Sequence, residues 1–169
     1  MNMINTILTR RSVRRYTEQD ISAETIKELL KAAMQAPSAH NKQPWHFIVI
    51  KNKETMNKIM EFHQYSKMLQ GAPVVIAVCA DVENYGGIDY WPQDCAAATE
   101  NILLAAHSLG LGGTWIGIYP SEELPEKVVD LLNIPAGIVP FCLISLGYPS
   151  EERTPAIRYD ENRVHFEQW

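Results

Sequence analysis

Pro73-Val74-Val75-Ile76-Ala77-Val78-Cys79-Ala80 is a continuous apolar stretch, rich in β-branched residues and bounded by a proline. A run of this length and composition is typical of a strand buried on both faces. Such a strand needs cover on both sides of its sheet, and amphipathic helices supply that cover most economically. The stretch therefore predicts a sheet that lies between helices.

The rest of the chain supplies the helices and further strands. Apolar residues recur at helical spacing in residues 3–8, 26–33 (after the N-cap Ser22) and 56–63, while 93–109 is an alanine- and leucine-rich helix that ends at Gly110. A helix is also predicted over 121–132, and strands over 46–50, 115–118 and 138–146. We predict one α+β domain spanning residues 1–169, with a flexible point at Gly86-Gly87 and a polar C-terminal tail over 150–169.

Composition narrows the possible partners and surroundings. The 169 residues carry 20 acidic and 15 basic side chains, a net charge of −5, which disfavours a nucleic-acid or membrane-surface binder. No signal peptide and no apolar run long enough to cross a bilayer is expected, so we expect a cytoplasmic protein. Cys79, Cys95 and Cys142 are odd in number and widely spaced, which argues against a zinc site or a disulfide framework.

A local basic cluster departs from this acidic balance. Residues 10–14, Arg-Arg-Ser-Val-Arg, place three guanidinium groups and one hydroxyl within five positions. Arginine presents a planar fork that matches phosphate oxygens, so the cluster suits a small phosphorylated ligand. The alternative is a solvated basic end of the first helix, where cations are favoured.

Two further stretches are candidates for ligand contacts. Residues 36–45, Ala-Pro-Ser-Ala-His-Asn-Lys-Gln-Pro-Trp, form a loop rich in hydrogen-bonding groups, which indicates either a binding loop or an ordinary connection. Residues 110–117, Gly-Leu-Gly-Gly-Thr-Trp-Ile-Gly, place glycines inside a strand, which indicates close approach of a ligand or a bulge without one.

No protein nucleophile or acid–base pair is evident. Ser12, Ser38 and Ser145 lack the context of a nucleophile elbow, and the acidic residues are scattered. Enzymes that use an organic cofactor leave the difficult chemistry to that cofactor and need only binding groups. A phosphate-binding arginine cluster together with an amide-rich loop suits flavin mononucleotide (FMN).

The chain resembles the FMN-dependent nitroreductase family over essentially its whole length. The motifs that carry the resemblance are Arg10–Arg14, Ala36–Trp45, Gly110–Gly117 and Leu146–Pro149. The resemblance implies a three-layer α/β/α fold with a mainly antiparallel sheet, and an intertwined homodimer with two FMN sites at its interface. The tail over 150–169 would then pack on the partner subunit.

The same resemblance assigns contacts to individual residues. Those implied for the FMN phosphate and ribityl chain are Arg10, Arg11, Ser12, Arg14 and Arg158. Those implied for the flavin of the other subunit are Pro37, Ser38, Ala39 and Asn41. Those implied for the ring are Gln64 at the pyrimidine edge, Lys67 near N1 and O2, and the backbone of Ile116 and Gly117 at N5.

The activity implied is hydride transfer from NAD(P)H through flavin N5 to a nitroaromatic, quinone or similar acceptor, in a ping-pong cycle. The chain departs from the family at Ala156, where a basic residue is usual, and Arg153 is a possible substitute. It also lacks inserted helices over the pocket, which leaves the acceptor open. The alternatives are a flavin-remodelling or dehalogenating relative and a non-catalytic flavin binder, store or regulator.

Overall fold

The computed structural model describes residues 2–85 and 90–169, so the predicted flexible point at Gly86-Gly87 lies outside the described residues. The helices are α1 Met3–Thr9, α2 Ala23–Met34, α3 Lys53–Phe62, α4 Trp91–Ser108 and α5 Leu124–Leu132. The strands are β1 Trp45–Ile50, β2 Val74–Asp81, β3 Gly112–Gly117 and β4 Ile138–Gly147. Short 3-10 turns occupy Ala39–Asn41, Lys67–Gln70 and Glu161–Arg163.

The four strands form one sheet in the order β1-β2-β4-β3, and every neighbouring pair is antiparallel. Successive side chains of strand β2 pack alternately into two hydrophobic cores, one on each face of the sheet. Val74, Ile76 and Val78 pack into the core on the side of α2 and α4, while Val75 and Ala77 pack into the core on the other side with α3 and α5. The predicted strand buried on both faces is confirmed, and so is the three-layer α+β architecture.

Local signals set most helix ends. The Ser22 side chain accepts the backbone N–H of Thr25 at the start of α2, as the N-cap prediction requires. Helix α5 begins at Leu124, three residues later than predicted. Pro125 lies in its first turn, where backbone N–H groups have no partner within the helix, so the missing N–H of proline costs no hydrogen bond. Helix α4 begins two residues earlier than predicted, again with a proline in its first turn.

The described cysteines are free and buried among apolar side chains. Burial raises the pKa of the Cys79 and Cys142 thiols to about 12. These side chains therefore act as small apolar core groups.

The C-terminal tail is the least covered part of the chain. Ile157 and Trp169 are fully exposed, and Phe166 is 85% exposed. Helix α1 also exposes apolar side chains, since Met3 and Ile4 are each more than half exposed. Within the described residues, no helix is both long and apolar enough to cross a membrane.

Candidate active site

A cleft of about 1020 Å³ lies along β3, the strand at one edge of the sheet. Its lining comes from β3, from the segment 118–124 after it, and from the turn that follows α3. The volume is that of a site for a cofactor or a drug-sized ligand. The predicted contact residues that line this cleft are Arg14, Gln64, Lys67, Ile116 and Gly117.

The arginine-rich segment reaches the cleft because it packs directly against β3. The Val13 N–H donates to the Gly113 carbonyl at 3.1 Å, and the Thr114 hydroxyl donates to the Val13 carbonyl at 2.5 Å. A Cβ at Gly112 would lie 2.6 Å from Cβ of Val13. The glycine at 112 is thus required by close approach of the Val13 side chain, an explanation that the two sequence alternatives did not include.

The arginines of this segment have different surroundings. The Arg10 Nε lies 3.1 Å from a carboxylate oxygen of Glu100 on α4. The Arg11 guanidinium donates to the carbonyls of Thr154 and Ala156 in the tail, at 3.3 and 3.0 Å. Among the described residues, Arg14 is the member of the cluster that lines the β3 cleft.

The tail arginines do not reach the cleft in the described chain. Arg153 is paired with Glu151 at 2.8 Å, and the Arg153 hydrogen bonds hold the pKa of the Glu151 carboxyl below its ordinary value. Glu151 also accepts the backbone N–H of Arg14 at 3.3 Å. Arg158 is exposed. Whether Arg153 replaces the base missing at Ala156 stays a prediction.

Besides β3, the turn that follows α3 forms a wall of the cleft. It carries Gln64 and Lys67 into the lining, and between them Tyr65 is 71% exposed. The buried His63 side chain bonds the Gly117 carbonyl at 2.8 Å, so it joins the turn to β3. In the sequence, His63 is marked only by its position on the face of a predicted helix. Its position next to Gln64 is the one signal that pointed toward the site.

The predicted partner loop lies at a separate cavity. Pro37, Ser38 and Ala39 line a smaller space of about 370 Å³ against α4, where the Ala39 N–H donates to the buried Asp94 carboxylate at 3.0 Å. Asn41 is exposed and accepts a hydrogen bond from Gln43. A role for this loop at a flavin requires a second copy of the chain and stays a prediction.

The cleft offers a donor set suited to a planar ligand with an anionic end. Two cations, Arg14 and Lys67, and one amide, Gln64, line it together. At Gly117 no heavy atom lies within 4 Å of the place a Cβ would occupy, so the backbone there is open to a ligand. Trp115 and Tyr119, each more than a third exposed, add aromatic surface.

A protein-family model described as the nitroreductase family matches residues 7–64 and 62–148 of this chain. The chain belongs to the nitroreductase family. The predicted family is therefore confirmed, and the motifs of 10–14, 36–45 and 110–117 all fall within the matched segments.

Individual members of the nitroreductase family resemble the chain over its full length. A protein of Archaeoglobus fulgidus with the provisional name NADH dehydrogenase/NAD(P)H nitroreductase is 49% identical, with 96% of each chain covered. The structure of an FMN-dependent nitroreductase from Clostridium difficile R20291 is 31% identical, with a TM-score of 0.91 and 98% and 99% coverage. A provisional nitroreductase of Desulfovibrio desulfuricans, solved in complex with FMN, is 30% identical, with a TM-score of 0.85 and 100% and 98% coverage.

Proposed function

We propose that this protein is an FMN-dependent oxidoreductase that takes hydride from NAD(P)H and passes it to a small organic acceptor. The observation that carries the proposal is the β3 cleft, where Arg14, Gln64, Lys67 and the open backbone of Gly117 converge. Support comes from the relatives, whose names include NAD(P)H nitroreductase and FMN-dependent nitroreductase.

The side chains of the cleft divide between the two ends of the cofactor. Arg14, with Arg10, Arg11 and Ser12 from the same segment, would hold the phosphate and ribityl chain through charge-assisted hydrogen bonds. Gln64 supplies amide donor and acceptor groups for the pyrimidine edge of the ring. The Lys67 ammonium group, which lines the cleft, would stabilise negative charge at the N1 and O2 side of the ring.

A bound FMN would supply the redox chemistry, namely hydride acceptance at N5 and transfer to an acceptor. The residues of the chain would contribute by orienting the ring, and the Ile116–Gly117 backbone, which lines the cleft, would lie at N5. Trp115 and Tyr119 provide aromatic walls for a planar donor or acceptor. No acid or base of the protein is required, and the nicotinamide and the acceptor would use the same space over the ring in turn, which is a ping-pong cycle.

The dimer is part of the same proposal. Apolar side chains on α1 and on the tail over 150–169 are exposed in the single chain, and burying them requires a large partner surface. A second copy would cover both elements, and it would bring Pro37, Ser38, Ala39, Asn41 and Arg158 toward the flavin of its neighbour. We propose a single domain over 1–169 that functions as a cytoplasmic homodimer.

An anaerobic absorbance experiment tests the function. The purified protein is reconstituted with FMN, desalted, and mixed with NADH and NADPH separately, and then with menadione or a nitrofuran. Retained visible flavin bands, bleaching by one or both nicotinamides and recovery with the acceptor are the expected results. A protein without visible bands refutes the proposal, and bound flavin that stays oxidised under excess NAD(P)H shows a binder that is not a reductase.

A further inference from the structure

His63 has a special place at the β3 cleft. It is the first residue after α3, and its side chain is 4% exposed. One ring nitrogen, Nε2, lies 2.8 Å from the Gly117 carbonyl, and the other, Nδ1, accepts the backbone N–H of Tyr65 at 3.2 Å. Both ring nitrogens are therefore engaged, one by each wall of the cleft.

These two contacts define the tautomer. A nitrogen that accepts an N–H bond carries a lone pair, so Nδ1 of His63 is unprotonated. The proton of the neutral ring then lies on Nε2, which donates to the Gly117 carbonyl. Only the Nε2–H form satisfies both partners at once.

The same residue also organises the turn that carries the predicted ring contacts. The His63 carbonyl accepts the Ser66 backbone N–H at 3.1 Å and the Ser66 hydroxyl at 2.7 Å. Gln64 lies between the bonded residues His63 and Ser66 in sequence, and Lys67 follows Ser66 directly. His63 thus holds the Gln64–Lys67 turn through its backbone and holds β3 through its ring.

Gly117 depends on this support. It is the last residue of β3, at an edge of the sheet, and it has no side chain to pack against a neighbour. The bond from His63 reaches its carbonyl from outside the β3–β4 ladder. The orientation of the peptide that follows Gly117 is therefore set in part by the imidazole.

We propose that His63 is a positioning residue for the cofactor, because its neutral Nε2–H imidazole fixes Gly117 relative to the Gln64–Lys67 turn. This inference rests on the proposed function, since it concerns how the FMN ring is held. A histidine that served stability alone would affect unfolding without affecting the cofactor. The two roles are separable by measurement.

The test compares His63→Gln, His63→Leu and the wild type, with His46→Gln on β1, at the far side of the sheet, as the matched control. Glutamine keeps one donor and one acceptor, whereas leucine has neither. Thermal melts first establish that each variant folds. FMN dissociation constants are then measured by fluorescence titration, and midpoint potentials by equilibration with redox dyes.

We expect the FMN dissociation constant to rise about tenfold in His63→Leu, the effect of one lost hydrogen bond. A backbone N–H at N5 favours the oxidised ring, whose N5 only accepts, so the potential should rise by about 30 mV, which is that tenfold factor for a two-electron couple. His63→Gln should recover most of both changes. Long-range nitrogen NMR of the cofactor-free protein should show the Nε2–H tautomer.

The outcomes separate the inference from the proposed function. If the wild type binds no FMN, the proposed function fails and the inference fails with it. If the wild type binds FMN and folded His63→Leu keeps its affinity and potential, the inference alone is refuted. An Nδ1–H tautomer in the cofactor-free protein also refutes it, without reference to FMN.

Discussion

Replacing Gly112 with alanine tests the contact that brings the arginine segment to the cleft. The new Cβ would lie 2.6 Å from Cβ of Val13 and 2.8 Å from each of its methyl carbons. Carbon atoms normally approach to about 3.5–4.0 Å, so these contacts are short by roughly 0.7–0.9 Å even against the lower limit. All three atoms belong to one stiff β-branched side chain, so rotation of Val13 relieves little of the overlap.

The segment of residues 12–14 would have to move away from β3 to make room. That movement weakens the bond from the Val13 N–H to Gly113 and the bond from the Thr114 hydroxyl to Val13, each worth about 1 kcal/mol. Overpacking of a tight site costs about 1–3 kcal/mol on its own. Movement of the segment relieves the overlap but weakens the two hydrogen bonds, so the two costs do not add in full. We therefore expect a loss of about 3 kcal/mol in the free energy of unfolding.

Differential scanning calorimetry of the cofactor-free protein at one protein concentration measures the effect, since bound FMN and the proposed dimerisation would both shift the melting temperature. For a chain of this size a loss of 3 kcal/mol lowers the melting temperature by roughly 6–12 °C. Gly117→Ala is the matched control, because no heavy atom lies within 4 Å of its Cβ position. At a backbone that alanine accepts, such a change is neutral or stabilises by about 0.4–1 kcal/mol.

A melting temperature for Gly112→Ala within about 2 °C of the wild type would refute this reasoning. The double variant Gly112→Ala/Val13→Ala sharpens the result. It removes two of the three short contacts, so it should be more stable than the sum of the single changes implies.

Three further predictions concern charge, thiols and assembly. Changing Arg10 and Arg14 together to alanine should weaken FMN binding at least about tenfold in fluorescence titrations. Turnover at saturating FMN should survive, and its loss would contradict a pure anchoring role. Thiol reagents should not label the folded protein near neutral pH. Because burial raises the pKa of Cys79 and Cys142 from 9.0 to about 12, the free energy of unfolding should fall as pH rises through that interval, and equal stability in denaturant melts at both ends would contradict this. Removing residues 150–169 should turn the proposed dimer into monomer in sedimentation velocity, whereas an unchanged dimer would show that the tail does not hold it.

Most helices and strands were predictable because the residues that mark each element lie within it or next to it in sequence. The apolar run of β2 required cover on both faces, and the core is divided between those two faces. Ser22 marked the start of α2 through a bond that spans only three residues. The start of α5 was missed because Pro125 fits the first turn of a helix as well as it fits a loop before one.

The site was less predictable because its contacts span long distances in sequence. The residue types and spacings of Arg14, Gln64 and Gly117 did not place them in one cleft, and only the family resemblance assigned all three to a common ligand. The bond from His63 to Gly117 joins residues 54 positions apart, and it has no signature in either segment. The glycine at 112 was noticed, but the side chain that requires it belongs to Val13, on a different segment.

The bonds from Arg11 to the tail join residues that the ribosome makes at widely separated times. The Arg11 guanidinium donates to carbonyls 143 and 145 positions later in the chain. At about 5–20 residues per second, a ribosome needs roughly 7–30 s to make that intervening stretch. Throughout this interval the arginine segment lacks the tail carbonyls that its side chain bonds in the finished protein. Cofactor loading that uses the finished arginine segment is therefore expected only after residues 154–156 have been synthesised.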